Sequence, residues 1–237
     1  DRLVRRAAMG ADVLIAPSRF LIEQYVEAGF TADRFRYLEN GIDVARIRHF
    51  AREAPSEDRV RFTYLGSLAW QKGVHILLKA FCGIPPEEAE LRVYGDPTVF
   101  PDYVDLLHEV ADPRNTSFEG SVPNEEVGGV LAGTDVVVVP SLWYENSPVV
   151  IQEAFAAGVP AIVSEIGALA EKVEDGRNGV LCVPGDVSDW HSKLRWLVRD
   201  RCLLDVLSAG ISPTQGIDCH TAHVLGIYLE LSEADPA

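Results

Sequence analysis

Short apolar runs, most of them rich in β-branched residues, recur along the chain at 13–16, 36–38, 61–65, 91–94, 136–139, 161–163 and 179–183, and end at glycine or polar turns. Between them, apolar residues spaced for one face of a helix predict amphipathic helices over 18–28, 74–81, 102–110, 125–132, 148–157 and 187–197. Strands that are apolar throughout and alternate with helices are buried on both faces. The pattern therefore predicts an α/β fold, a Rossmann-like parallel sheet with helices on both faces. The polar stretch 46–58 and the Gly/Pro-containing stretch 208–218 read as seams, the second followed by a last helix near 221–231. Residues 58–207 then form one complete domain.

Composition narrows the function classes. Lysine and arginine total 21 against 36 aspartates and glutamates, a formal net charge of −15. So acidic a chain is a poor general binder of nucleic acid or anionic membrane. An anionic ligand needs a local site of backbone N–H groups and a few cations. No apolar run approaches the roughly 20 residues that cross a bilayer, and residues 1–6 lack the pattern of a secretory leader. Four cysteines, at 82, 182, 202 and 219, show no ligand spacing and read as reduced thiols of a cytoplasmic protein. Cys219, His220 and His223 would be half of a metal site with no second half, so no metal is expected.

Open α/β sheets bind ligands beyond the carboxyl ends of their strands. After 61–65 comes Gly66-Ser67-Leu68-Ala69-Trp70-Gln71-Lys72-Gly73, with two glycines that admit close backbone approach and a lysine just before a helix. Taken alone, this loop reads equally as a plain βα connection with a surface lysine; it is neither a P-loop nor G-x-G-x-x-G. After 136–139 comes Pro140-Ser141-Leu142-Trp143-Tyr144-Glu145-Asn146-Ser147-Pro148. Pro148 suits a first helical position and Ser147 the cap before it. The N–H groups of Val149 and Val150 then lack partners inside the helix and form an anion site. Glu153 falls about 7.5 Å further along the axis, within reach of a ribose on the same nucleotide. Glu145 sits on the loop, where it can accept from a hexose. Two glutamates eight positions apart are, by themselves, also what a solvated helix carries.

With these residues the sequence resembles the retaining GT-B glycosyltransferases, in the large family that includes sucrose-phosphate synthases and mannosyltransferases. Asp12 to Ser18 is similar to the last strand and cap of that family's N-terminal domain, and Glu39-Asn40-Gly41-Ile42-Asp43 to its crossover. Gly66 to Gly73 is similar to its phosphate loop. Pro140-Ser141…Glu145 through Glu153-Ala154 is similar to its two-glutamate signature, and Gly158-Val159-Pro160, Gly167, Glu171 and Asp175-Gly176 follow in order. The resemblance implies 1–44 as a terminal β-α-β piece of an acceptor domain and 45–57 as linker. It further implies 58–207 as the donor-binding domain, and 208–237 as linker and a C-terminal helix, with Tyr228, packing back on the first piece.

The implied activity is transfer of a sugar from a nucleoside diphosphate sugar with retention. Lys72 would lie on the diphosphate, and Lys72 and Glu145 would be the catalytic pair of side chains. Glu153 would hold the ribose diol. Glu145, Asn146, Ser147 and Pro148 would face the sugar, and Val149 and Val150 the phosphates. Gly66 and Ser67 would lie in the phosphate loop, and Gly95, Gly120 and Val122 near the base. Ser67 stands where the family usually has arginine, Asn146-Ser147-Pro148 replaces a Gly-rich turn, and Gly167-Ala168-Leu169 replaces Gly-Gly. No cofactor is implied, the nucleotide sugar being a substrate. The sugar, glycan or lipid acceptor would sit on a missing N-terminal domain, without which the chain would be inactive. The alternatives are a non-catalytic nucleotide-sugar binding domain and a sugar-nucleotide epimerase of the same fold.

Overall fold

The computed structural model describes residues 6, 8–54 and 59–234. Most of the 1–6 stretch read for a leader, and 55–57 of the expected linker, lie outside them. A small parallel pair comes first: β1 (Leu14–Ala16), α1 (Arg19–Glu27) and β2 (Phe35–Tyr37), followed by α2 (Val44–Arg48). The main unit runs β3 (Val60–Leu65), α3 (Val74–Phe81), β4 (Ala89–Tyr94), α4 (Pro101–Val110), β5 (Thr116–Gly120), α5 (Val127–Ala132) and β6 (Val136–Val139). It continues through α6 (Val149–Ala156), β7 (Ala161–Ser164), α7 (Gly167–Lys172), β8 (Gly179–Cys182), α8 (Val187–Arg199) and α9 (Arg201–Ala209), and α10 (Ile217–Ala234) closes the chain.

The six strands β3–β8 are parallel, in the order β5-β4-β3-β6-β7-β8. Counted from β3, that is the 3-2-1-4-5-6 order of dinucleotide-binding sheets, whose strand order reverses between β3 and β6. The expected α/β, Rossmann-like architecture is the one observed. Strand β6 shows why its residues make a central strand. Successive side chains alternate faces, and Val136 and Val138 join one core with Phe62, Leu77, Leu91 and Trp190, while Val137 and Val139 join another with Ile151, Val163 and Leu169. The sheet has a core on each face, which explains a strand with no polar position.

The two ends of the sheet differ. At the amino ends of β3 and β6, Arg61 is 7% exposed and forks onto Asp135, with Nη2 to Oδ1 at 3.0 Å and Nε to Oδ2 at 3.2 Å. Hydrogen bonding to Asp135 holds the Arg61 guanidinium pKa above its ordinary range. The carboxyl ends carry loops that bring backbone close to backbone.

Several expected boundaries shift. The linker expected at 45–57 opens with helix α2, capped by Asp43 and anchored by Ile47, 1% exposed. The expected helix at 125–132 starts as a 3-10 turn, Asn124–Glu126. The last helix begins at Ile217, where Gly216 bridges Ile42 and a second bond ties His220 Nδ1 to Glu39 O at 2.8 Å. The expected domain end at 207 falls inside α9.

The β1–α1–β2 piece is fastened to the main unit at several points. Glu171 of α7 accepts from the N–H groups of Arg19 and Phe20 at 2.9 and 3.0 Å, capping α1 from across the seam. Gln152 Nε2 donates to Asn40 O at 2.6 Å, and Lys172 pairs with Glu39.

Candidate functional site

The loops after β3 and β6 flank the point where strand order reverses. The first turns through a 3-10 segment, Trp70–Lys72, into Gly73. Gly73 has φ +70, and a Cβ there would stand 1.9 Å from Pro140 O, so only glycine lets the two loops touch. They are stitched by Leu142 N–H donating to Gln71 O at 2.8 Å. Beneath them, the Tyr64 hydroxyl donates to Ser67 O at 2.7 Å. Burial pushes the Tyr64 phenol pKa well up, so it remains a neutral donor.

This stitching brings together residues far apart in sequence. Lys72 Nζ lies 2.6 Å from Glu145 Oε1, and the fully buried Ser141 hydroxyl donates to the same oxygen at 2.9 Å. The lysine keeps a 31% exposed side chain on a cavity of about 210 Å³. That cavity is lined by Gly66, Lys72, Glu145, Ser147, Pro148, Val149 and Val150 among others, and Lys72 is its one lining cation among the described residues. Helix α6 points its amino end there without a side-chain cap. The cap itself is displaced from expectation: Pro148, not Ser147, is the N-cap residue, and the first helical residue is Val149. Proline has no hydroxyl with which to cap, so the dipole end of α6 stays open. Ser147 Oγ is buried without a hydrogen-bond partner among the described residues.

A second cavity, about 310 Å³, adjoins the first through Leu65 and Gly66. Ser67, Gly95, Ser121 and Val122 line it, with the exposed Val99 and Phe100 also on its wall. A Cβ on Gly95 would come within 2.4 Å of Gly66 O, so the loops after β3 and β4 approach backbone to backbone here. Val99 and Phe100 were not anticipated; their one signal is an apolar pair in the loop between β4 and α4. Gly120, at φ +76 opposite the register shift of β4, precedes this wall without lining it.

Asn146 and Glu153 also line neither cavity. Asn146 is exposed. Glu153 is 8% exposed on α6, and its Oε1 takes Arg46 Nη2 at 2.7 Å. Arg46 was missed because it reads as one charge in a polar stretch, and nothing local marks its partner. The Cys219–His223 pair sits at 3.9 Å on α10. Among the described residues no three His, Cys, Asp or Glu side chains gather where they could hold a metal, and no helix is long and apolar enough to cross a membrane.

Two adjoining crevices at a strand-order reversal, one with a lysine at an uncapped helix end, have the chemistry that suits an anionic ligand. In comparison with known proteins, residues 45–209 match the family described as Glycosyl transferases group 1, and the chain belongs to it. It is 33% identical over 165 residues to glycogen synthase of Mycobacterium tuberculosis, covering 69% of this chain and 39% of that protein. It is 26% identical over 213 residues to the sulfoquinovosyl transferase SQD2 of Arabidopsis thaliana, covering 84% of this chain and 40% of that one. The chain thus spans about two fifths of these relatives' length.

Among solved structures, Anabaena Alr3699/HepE in complex with UDP and glucose superposes with a TM-score of 0.79 at 23% identity, over 92% of this chain and 63% of that one. Sucrose-phosphate synthase from Thermosynechococcus elongatus gives 0.82 at 21% identity, over 95% and 60%. The fold is that of GT-B glycosyltransferases.

Proposed function

We propose that this chain is the donor-binding half of a glycosyltransferase that takes a sugar from a nucleoside diphosphate sugar and transfers it with retention at the anomeric carbon. The observation that carries the reading is the convergence of Lys72, the open end of α6 and the Ser147 hydroxyl, unpartnered among the described residues, on one cavity beside a second, larger one. The base occupies the larger cavity and the diphosphate the smaller. An ammonium has three donors, so Lys72 can hold Glu145 and a phosphate oxygen together. As the bond from the anomeric carbon to the diphosphate breaks, negative charge grows on the phosphate oxygens, where Lys72 and the helix dipole stabilise it.

Glu145 and Asn146 with Ser147 and Pro148 face the sugar, and Glu153 accepts from the ribose hydroxyls. Glu145 and Glu153 are each already paired with a cation. Neither is assigned as the nucleophile of a double displacement; the acceptor oxygen bonds to the anomeric carbon on the face the diphosphate leaves, and its proton passes to a departing phosphate oxygen. The acceptor is held by a further domain, and four unbridged cysteines suit a reducing cytoplasm.

The first test is thermal unfolding with UDP, GDP and ADP. The preferred nucleotide, at about 100 times its Kd, raises stability by about 2.7 kcal/mol. Because Lys72 and α6 supply the positive charge, EDTA leaves that gain unchanged. No stabilisation by any of the three refutes a nucleotide site, and a loss on chelation that Mg²⁺ restores refutes metal independence. A second test is Glu153→Gln, which turns one acceptor oxygen into a donor. Calorimetry should show the ribonucleotide losing on the order of 1–3 kcal/mol and the 2′,3′-dideoxy form losing nothing. Unchanged ribonucleotide affinity would leave Glu153 a structural residue of α6.

A further inference from the structure

The carboxylate of Glu153 has one partner among the described residues, Arg46. The guanidinium uses its two terminal nitrogens on different elements. Nη2 donates to Glu153 Oε1 at 2.7 Å, and Nη1 donates to Asn124 O. Asn124 ends the loop that begins with Ser121 and Val122, the wall of the larger cavity. Arg46 itself is held: its N–H donates to Asp43 Oδ1 at 2.9 Å, and its neighbour Ile47 is buried against α5 and α6. One planar fork therefore spans the carboxylate and the cavity-wall loop from a helix that packs against neither cavity. Only one of the two carboxylate oxygens has a partner among the described residues.

We propose that Arg46 is a positioning residue for the nucleotide's ribose: it fixes the Glu153 carboxylate relative to the Ser121–Val122 wall, so that the free oxygen meets the diol while the base enters the larger cavity. The inference rests on the nucleotide-site reading above and adds a residue to it. A lysine reproduces the role only in part, because its ammonium is a point charge on a flexible stem without the planar fork that fixes the two acceptors relative to each other.

The experiment compares wild type, Arg46→Ala, Arg46→Lys and Glu153→Gln by calorimetry. The ligands are the tightest binder of UDP, GDP and ADP, and that nucleotide's 2′,3′-dideoxy form. Thermal unfolding checks that each variant is folded. Arg46→Ala weakens the ribonucleotide about tenfold and the dideoxynucleotide less than about twofold, with Arg46→Lys between wild type and alanine. A merely structural arginine would lower both ligands alike, and that result overturns the proposal, as does an Arg46→Ala variant that loses nothing. If Glu153→Gln shows the ribose-dependent loss and the Arg46 variants do not, the proposal falls and the nucleotide site stands. If wild type binds none of the three nucleotides, the site reading falls and takes this inference with it.

Discussion

Replacing Lys72 by alanine should weaken binding of a nucleoside diphosphate about 10–100-fold and leave the corresponding nucleoside almost unchanged. Part of the loss is the charge-assisted hydrogen bond to phosphate, worth roughly 1.5–3 kcal/mol. The structure adds a second part. Lys72 neutralises Glu145 at 2.6 Å, so its removal leaves a carboxylate, 17% exposed, facing an incoming dianion. The double variant Lys72→Ala/Glu145→Gln should therefore bind the diphosphate better than Lys72→Ala alone, a coupling that a double-mutant cycle measures directly. Calorimetry with nucleoside, monophosphate and diphosphate on all four proteins makes the comparison. Equal losses for nucleoside and diphosphate would remove Lys72 from the phosphate site. Additive losses would show that Glu145 does not face the phosphate.

Gly73→Ala should destabilise the fold by about 3 kcal/mol or more. Two costs combine. A residue with a Cβ at φ +70 carries strain of roughly 1–2 kcal/mol. The new carbon would also meet Pro140 O at 1.9 Å, where both atoms belong to main chain and neither can swing aside. Gly120→Ala separates the two, since Gly120 has φ +76 and nothing within 4 Å of the built Cβ, so it should lose only the strain. Urea unfolding of both variants tests the difference; equal losses would mean that the two loops can part without penalty. Because Gly73 fixes the distance between the Lys72 and Glu145 loops, Gly73→Ala should also weaken diphosphate binding at temperatures where the protein is still folded.

The sheet's inner strands were legible because burial on both faces leaves no room for a polar residue: 136–139 is read from sequence at the bounds the structure gives it. Strand β5 was not legible. It lies at the edge of the sheet, and its Thr-Ser-Phe-Glu-Gly sequence alternates between buried and more open positions, so it offers no apolar run. Helix α9 was hidden because Asp200 alone separates it from α8, and the two periods merge. Short α2 and α7 have too few turns for periodicity to show. At the site, sequence located the loops and the glycines, since positive φ and close approach are demands on a single residue. It did not show the pairs. Lys72–Glu145 and Arg46–Glu153 join residues 73 and 107 positions apart, and no local pattern encodes such a contact.

The fastening of β1–α1–β2 to the main unit bears on how a ligand arrives. Glu171 caps α1, Gln152 grips Asn40, and Phe20 of α1 packs its ring 4.9 Å from that of Tyr144, immediately before Glu145. Helix α6 thus presents its amino end to the smaller cavity while its middle anchors the chain leading out of β2. These contacts join the small sheet to the large one, and the crevice at the strand-order reversal lies open beside them. On the reading that a nucleotide binds there, these contacts predict little ordering of the β1–α1–β2 piece on capture, which keeps that part of the entropic cost of association low. On the same reading, Lys72 is the fixed cation toward which an anion is drawn on a chain of net charge −15.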